Sequence, residues 1–484
     1  MKWIYWMWLV GMGIFAWPAQ ASYQLLHSFA ATGAEGTQPL AGAVSGADGW
    51  LYGTTSAAGT NSGGTLYRMD TQGGGFVVLH AFQGGTGADG NIPSAAPLVP
   101  GDGYLYGTTT SGGTNDGGTV YRIKTDGSAF QLLHHFTGGN TDGSHPAAEL
   151  TLAGDGNLYG QTQTGGTNGA GVIFRLSLDG GSFQVLHHFG AVGDGAYPIS
   201  PLLAVGNTLY GATYEGGTGA GIIYRLPWDG SQYQILHTFD AETYDFEAQN
   251  PAGSLAVGAD GWLYGTTSSG GMSLVMSNLL HDVGPYYNAG AIFKLTTNGS
   301  AYFKIHDFFQ TTNDSAFPQA SLIAGGDGRL YGTTTGGGMI GRGTIFQVAT
   351  NGDVATVYSF GNSSAGTLDG KQPYAGLTLA ADGTFYGTTQ LGGAGNQGTV
   401  FAIDPRVQIT GQQHFAVVSD HPRWGERLAL AGLPGQRVTL QRSSDLAAWN
   451  DLVSQVIPDG TDGSWLMMDT NAPAGQGFYR VRSP

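Results

Sequence analysis

The chain has 484 residues, 85 of them glycine and none cysteine, and its 34 acids against 18 lysines and arginines give a formal charge of −16. That length is too great for one small core. The absence of thiols excludes disulfides, thiolate metal sites and cysteine nucleophiles, and the negative charge, which repels phosphate backbones, argues against nucleic acid as a partner.

Met1 to Ser22 hold one charge at Lys2, an apolar run from Trp3 to Trp17, and Ala19-Gln20-Ala21 as a small-x-small cleavage site. This predicts a signal peptide over 1–21 and a mature chain, secreted or at the cell surface, from Ser22. No later stretch is apolar enough for a membrane span.

From Ser22 to Pro405 one pattern recurs seven times. A leucine-tyrosine-glycine run or a close variant is centred at Tyr52, Tyr106, Tyr159, Tyr210, Tyr264, Tyr331 and Tyr386, with a proline thirteen residues upstream in six units and twelve in the fourth. A second aromatic such as Tyr67, Tyr121 or Phe346 follows, and then a run such as FQLLHHF with His80, His134, His187, His237 or His306, replaced by Tyr358 in the sixth unit. Each unit therefore holds four short β-like runs, and four strands in about fifty residues match a propeller blade. The mature chain opens with a fourth run, Tyr23 to Phe29, that has no preceding unit, and the seventh unit stops after its third run. The strands balance only if the first completes the last blade, which removes two exposed sheet edges in a chain without cysteine. The predicted fold is all-β: a seven-bladed β-propeller with four-stranded blades over 22–405, closed by its N-terminal strand.

At these residues, LYGTT followed by GG, GTVYRI and LLHHF, the chain resembles the GloVer-type tandem-repeat proteins, exported bacterial proteins described as choice-of-anchor. The resemblance implies export and a propeller-like fold. It brings no activity and no catalytic residues.

The turns separate two faces. Asp-Gly or Asn-Gly pairs join the first run to the second, as at Asp48-Gly49 and Asp102-Gly103, and the third to the fourth, as at Asp126-Gly127 and Asn298-Gly299. These pairs supply the positive φ angles of tight hairpins, so their aspartates read as structural. All length variation falls in the other two connections, which share the opposite face, where binding residues are expected. Recurrence in nearly every unit makes the histidines scaffold: alternation places His134 beside Phe130, Leu132 and Phe136, hydrogen-bonding between blades, with His135 and His188 pointing the other way to solvent. The LYG tyrosines read as inter-blade packing.

The fifth unit breaks the symmetry, with an insertion of 14 residues between Tyr264 and Phe293. The loop leading into it carries Asp240, Glu242, Tyr244, Asp245 and Glu247, and the inserted loop carries His281, Asp282, Tyr286 and Tyr287. The face argument makes the two loops neighbours. Their carboxylates, aromatic platforms and histidine suit a hydrated sugar or a hard cation such as calcium. The competing reading is that the acids solvate a loop and the insertion packs over the rim. Tyr214 and Glu215 in the fourth unit are lesser additions.

The tail, 406–484, is near neutral, with seven arginines and seven acids. Alternating apolar positions at Val438, Leu440 and the closing Phe478-Tyr479-Arg480-Val481 predict strands, and the segment resembles the small β-sandwich modules appended to secreted proteins of environmental bacteria. The chain has no GxSxG elbow, HExxH motif, P-loop or EF-hand spacing. The leading functional expectation is a noncatalytic exported protein that binds a glycan or cell-surface partner through the long-loop face. A secreted polysaccharide lyase or glycoside hydrolase, whose groups converge from separate blades, is the second. A purely structural surface repeat protein is the third.

Overall fold

The computed structural model describes residues 22–30, 33–85, 87–241, 248–271, 289–309, 314–361 and 369–405, together with six strand segments between 415 and 482. Every regular element among them is a strand. One compact unit spans Tyr23–Asp404, and Pro405–Pro484 belongs to another.

Within the first unit, Val44–Ser45, Trp50–Thr55, Ser62–Asp70 and Val77–Gln83 form an antiparallel sheet in chain order. Six more sheets repeat this arrangement, giving a seven-bladed β-propeller. The second sheet has three strands, its innermost run reduced to a bridge between Leu98 and Tyr106. The fifth has five, because Ala248–Pro251 and Ala256–Val257 both pair with Leu263–Gly270.

Packing explains the glycine of the LYG run. Gly53 lies opposite Tyr67 on the next strand, and a Cβ there would fall 2.3 Å from the tyrosine hydroxyl. In the third blade a Cβ on Gly160 would meet Phe174 at 2.5 Å. The second aromatic of each unit thus lies over bare backbone, and buried clusters such as Tyr52, Leu66 and Phe82 with Leu105, Tyr121 and Ile123 join one blade to the next.

A register shift recurs on the outer strand. In the first blade Leu66 pairs with His80 but Tyr67 with Val78, leaving Leu79 as a bulge, and the second blade repeats this between Val120 and Tyr121. Strict alternation fails there: Phe130 and Leu132 pack toward the first blade, whereas His134 stacks on Phe183 of the third, so His134 does not share a face with Phe130 and Leu132 as expected. His135 and His188, expected to face solvent, are half-buried, and the Thr167 amide donates to Nδ1 of His188 at 3.3 Å.

A ring of hydrogen bonds binds the blades around the axis. The hydroxyls of Thr54, Thr108, Thr266 and Thr333 donate to the carbonyls of Ala95, Ala148, Ala320 and Ala375 in the following blade at 2.8–3.3 Å, and the Gln161 amide reaches Ser200 at 2.7 Å. Thr388 closes the circle onto Ala41 at 2.8 Å. The fourth blade has Ala212 at this position and no hydroxyl to offer.

Closure follows the strand count. The seventh sheet runs Ser22–Ser28, Thr399–Asp404, Phe385–Thr389, Thr378–Leu379, so the first strand of the chain forms the outer edge of the last blade. The Phe29 amide donates to the Gly398 carbonyl at 3.1 Å, and the Tyr23 ring stacks 4.5 Å from Tyr358 of the sixth blade.

The tail holds two antiparallel sheets. One runs Phe415–Val417, Gly477–Arg482, Arg437–Ser443, Asn450–Val456, and the other pairs Glu426–Ala431 with Ser464–Asp469.

Candidate functional site

The face built from Asp-Gly turns is chemically closed. The Tyr52 hydroxyl donates to the Asp48 carboxylate at 2.6 Å, and the same pair recurs at Tyr106 and Asp102, Tyr159 and Asp155, Tyr264 and Asp260, and Tyr331 and Asp327, all at 2.7–2.8 Å. Burial, then the neighbouring carboxylate, pushes the Tyr106 hydroxyl up to about 12. Packing is only half of the role of these tyrosines. Each also ties down the acid of its own turn.

The histidines are committed to the scaffold in a similar way. His80, His134 and His187 pair through Nε2 with Asp89, Asp142 and Asp194 at 2.9–3.3 Å, and His27 with Glu35 at 3.1 Å. Their rings stack on an aromatic of the following blade, His80 on Phe130 at 4.0 Å and His134 on Phe183 at 3.8 Å. The side chains are half-buried rather than sealed. Burial pushes the Asp142 carboxyl up, but the His134 ring and the Thr137 and Gly143 amides outweigh it and hold the group below the usual carboxylate range. Burial alone pushes His237 down to about 4. These acids stand four residues before the repeat proline, and Glu247 holds that position in the fifth unit.

On the opposite face the described residues leave an axial opening. Residues after the repeat prolines, contributed by all seven blades, line an axial cavity of about 120 Å³. Glu149 is the one charged residue in the lining among the described residues, with Gln319 and Tyr374 also lining the cavity. The Glu149 side chain is reachable from the cavity yet closely surrounded by protein, so burial pushes its carboxyl up to about 7, offset in part by the Ala96 amide. It forms no ion pair among the described residues.

Around this cavity the residue before each repeat proline adopts a left-handed backbone. Gln38, Ile92, His145, Tyr197, Asn250, Phe317 and Gln372 have φ between 55° and 61°, and none is glycine. Ile92, Tyr197, Phe317 and the nearby Tyr374 are 38–45 % exposed. Nδ1 of His145 meets the hydroxyls of Ser144 and Thr164 at 2.8 and 2.9 Å.

Of the residues predicted as ligand-binding, Asp240 ends the outer strand of the fourth blade, half-buried, its carbonyl accepting from the Gln249 side chain at 3.1 Å. Glu242, Tyr244, Asp245, Glu247, His281, Asp282, Tyr286 and Tyr287 lie outside the described residues. Among the described residues, no group of three His, Asp or Glu side chains is placed to hold a metal ion, and no helix is long and apolar enough to cross a membrane. The sequence reading misses Glu149 and Tyr374. Aligning the units on their prolines exposes Glu149, because the corresponding residues elsewhere are Gly42, Ala96, Pro201, Ser254, Ser321 and Gly376.

The model of the Gloeobacter/Verrucomicrobia repeat matches residues 13–220 and 281–432. No curated protein sequence matches. Among solved structures, the chain is similar to an oligogalacturonate lyase in complex with manganese, at 12% identity and a TM-score of 0.45 over 80% of this chain and 98% of that one. An ulvan lyase of polysaccharide lyase family PL25 is similar at 11% identity and 0.45, over 76% and 94% of the two chains. A nidogen/laminin complex is similar at 14% identity and 0.37, over 64% and 93%. Similarity of this degree does not extend to activity.

Proposed function

Since the chain belongs to the Gloeobacter/Verrucomicrobia repeat family, and its propeller has one saturated face and one open face, we propose that it is an exported, noncatalytic binding protein that engages a glycan or cell-surface partner through the open face. The supporting observation is the axial cavity, lined by exposed Tyr374 and by Glu149 as the single acid of its described lining, with exposed Tyr197 and Phe317 two residues before the lining residues Ile199 and Gln319. Aromatic faces with a few placed polar groups are what sugar rings need. In this reading the tail is a small β-sandwich acting as an accessory module.

The test is to incubate the mature protein with insoluble polysaccharides and score both retention and release of new chain ends. Retention without release is the expected result; release sinks the noncatalytic reading. One observation favours the second reading, a polysaccharide lyase or glycoside hydrolase: a carboxyl near 7 is suited to general acid or base work at neutral pH. Hydrolysis by paired carboxylates needs a second acid, and the described lining offers Glu149 alone. Turnover lost in Glu149→Gln would establish that reading in its place.

A further inference from the structure

The backbone of the seven left-handed residues is fully used, and their side chains are not needed for it. His145 donates its amide to the Gly117 carbonyl of the preceding blade at 2.7 Å, and its own carbonyl accepts from Gln163 at 3.0 Å. Tyr197 does the same between Ala170 and Tyr214, and Phe317 between Ala289 and Thr335. These bonds over-determine a conformation that L side chains resist, and that a residue before proline seldom adopts. Glycine would fit with no steric penalty. The chain uses glycine freely at positive φ, as at Gly49 and Gly127, yet none of these seven positions has it. A β-branched residue such as Ile92 at φ 58° is a marked outlier. The side chains at this ring are therefore kept against backbone preference, and each member stands two residues before one that lines the axial cavity.

Resting on the binding function above, we propose that this ring reads the ligand, and that the ligand is a glycan of amino sugars: the aromatic members stack on sugar rings, and an amino group enters the axial cavity to meet Glu149. The cavity, about 120 Å³, is small beside the several hundred Å³ of a pocket for a whole ligand, and accommodates a protruding group. Its described lining has no cation to receive a uronate, and a carboxylate closely surrounded by protein, without a cationic partner among the described residues, favours a ligand that brings one. Gln38 and Gln372 carry amides on the same ring for hydroxyl groups, whereas the Asn250 amide is already engaged with the Tyr214 carbonyl and the Ser269 hydroxyl.

The experiment uses the mature chain and calorimetric titration with a glucosamine oligomer, its N-acetylated counterpart and an oligogalacturonate of equal length. The glucosamine oligomer is expected to bind, the acetylated one more weakly, and the uronate not at all. Glu149→Gln should weaken binding roughly tenfold or more, as expected for loss of a charge-assisted hydrogen bond. Tyr197→Gly and Phe317→Gly should also weaken it, with a Tm unchanged or raised, an outcome that a merely structural side chain would not give. Binding that is unaffected in all three variants overturns the inference, and so does failure of the glucosamine oligomer to bind. If another polysaccharide is retained in the broader screen while this oligomer is not, the binding function stands and the inference falls alone.

Discussion

The two faces of the propeller solve the same backbone problem in different ways. On the turn face positive φ falls chiefly on glycine, with Ala129 and Gln232 as exceptions; at Gly49 an added Cβ would meet nothing within 4 Å, and the adjacent aspartate is held by the tyrosine of its own blade. On the open face the equivalent backbone strain falls on Gln, Ile, His, Tyr, Asn, Phe and Gln. The difference teaches where to look for function. Where a tyrosine of the blade holds the turn aspartate, that carboxylate is already used, whereas strain borne by varied side chains marks a place where the side chains matter.

The largest effect should come from removing what both faces depend on. Deleting residues 22–30 strips the outer strand from the seventh blade, with Phe29 fully buried and Leu26 nearly so. Full burial of each such side chain is worth about 1.5–3 kcal/mol, and the newly exposed strand edge adds to the loss, so the deletion should approach the whole stability of a domain. Loss of the cooperative thermal transition is the expected readout. Deleting 406–484 instead should leave the transition of the propeller in place. Equal losses in the two deletions would contradict closure by the first strand.

A more selective break acts through protonation. Burial pushes His237 down to about 4 and also lowers His27 and His306, although nearby carboxylates partly offset the latter two. An unfolded histidine titrates near 6.5, so the unfolded chain binds more protons between these values. The histidine contribution is therefore complete above about pH 6.5 and is lost as pH falls toward 4. Asp142 and Asp194, held below the usual carboxylate range, extend the loss to still lower pH. A series of melting curves from pH 8 to 4 should show Tm falling below about pH 6.5; a flat profile would mean the rings are not desolvated. On the turn face, Tyr52→Phe removes one hydrogen bond to an exposed carboxylate and should lower stability by about 1 kcal/mol with ligand binding unchanged. A change in affinity in that variant would break the distinction between the faces.

The sequence makes the scaffold legible because periodicity counts strands and Asp-Gly pairs locate hairpins. The closure by Tyr23 to Phe29 needs only that count. The outer-strand bulge has no such signature, which is why strict alternation places His134 on the face of Phe130 and Leu132. The left-handed ring runs against sequence logic, since a residue before proline is expected to be extended. Only bonds to two different blades impose the other conformation on it. Glu149 is hidden for a different reason. Its significance lies in being the odd member of one aligned column, whereas the longest insertion draws the eye to the fifth unit. The acid four residues before each proline is readable in all seven units, and it changes the standing of Glu247.

That register separates the acids of the loop leading into the fifth blade. Glu247 holds the place at which Asp89, Asp142 and Asp194 pair with outer-strand histidines, and the corresponding histidine is His237. Glu247→Gln should therefore behave as a scaffold variant, lowering Tm by the equivalent of about 1 kcal/mol. Asp240, Glu242 and Asp245 have no counterpart at fixed positions in the other units, so any ligand or calcium site in this loop depends on them. Their mutual repulsion would be relieved by a cation or by sugar hydroxyls. Converting these three to amides should act on binding, with any fall in Tm coming from Asp240, half-buried at the end of its strand. Calcium titrations and glycan retention, measured on the triple variant and on Glu247→Gln, tell the roles apart. Binding lost in the triple variant with Tm preserved places a second contact on the open face. Unchanged binding there, with the loss of Tm confined to Glu247→Gln, makes the three acids a solvated loop and leaves the axial ring as the centre of recognition.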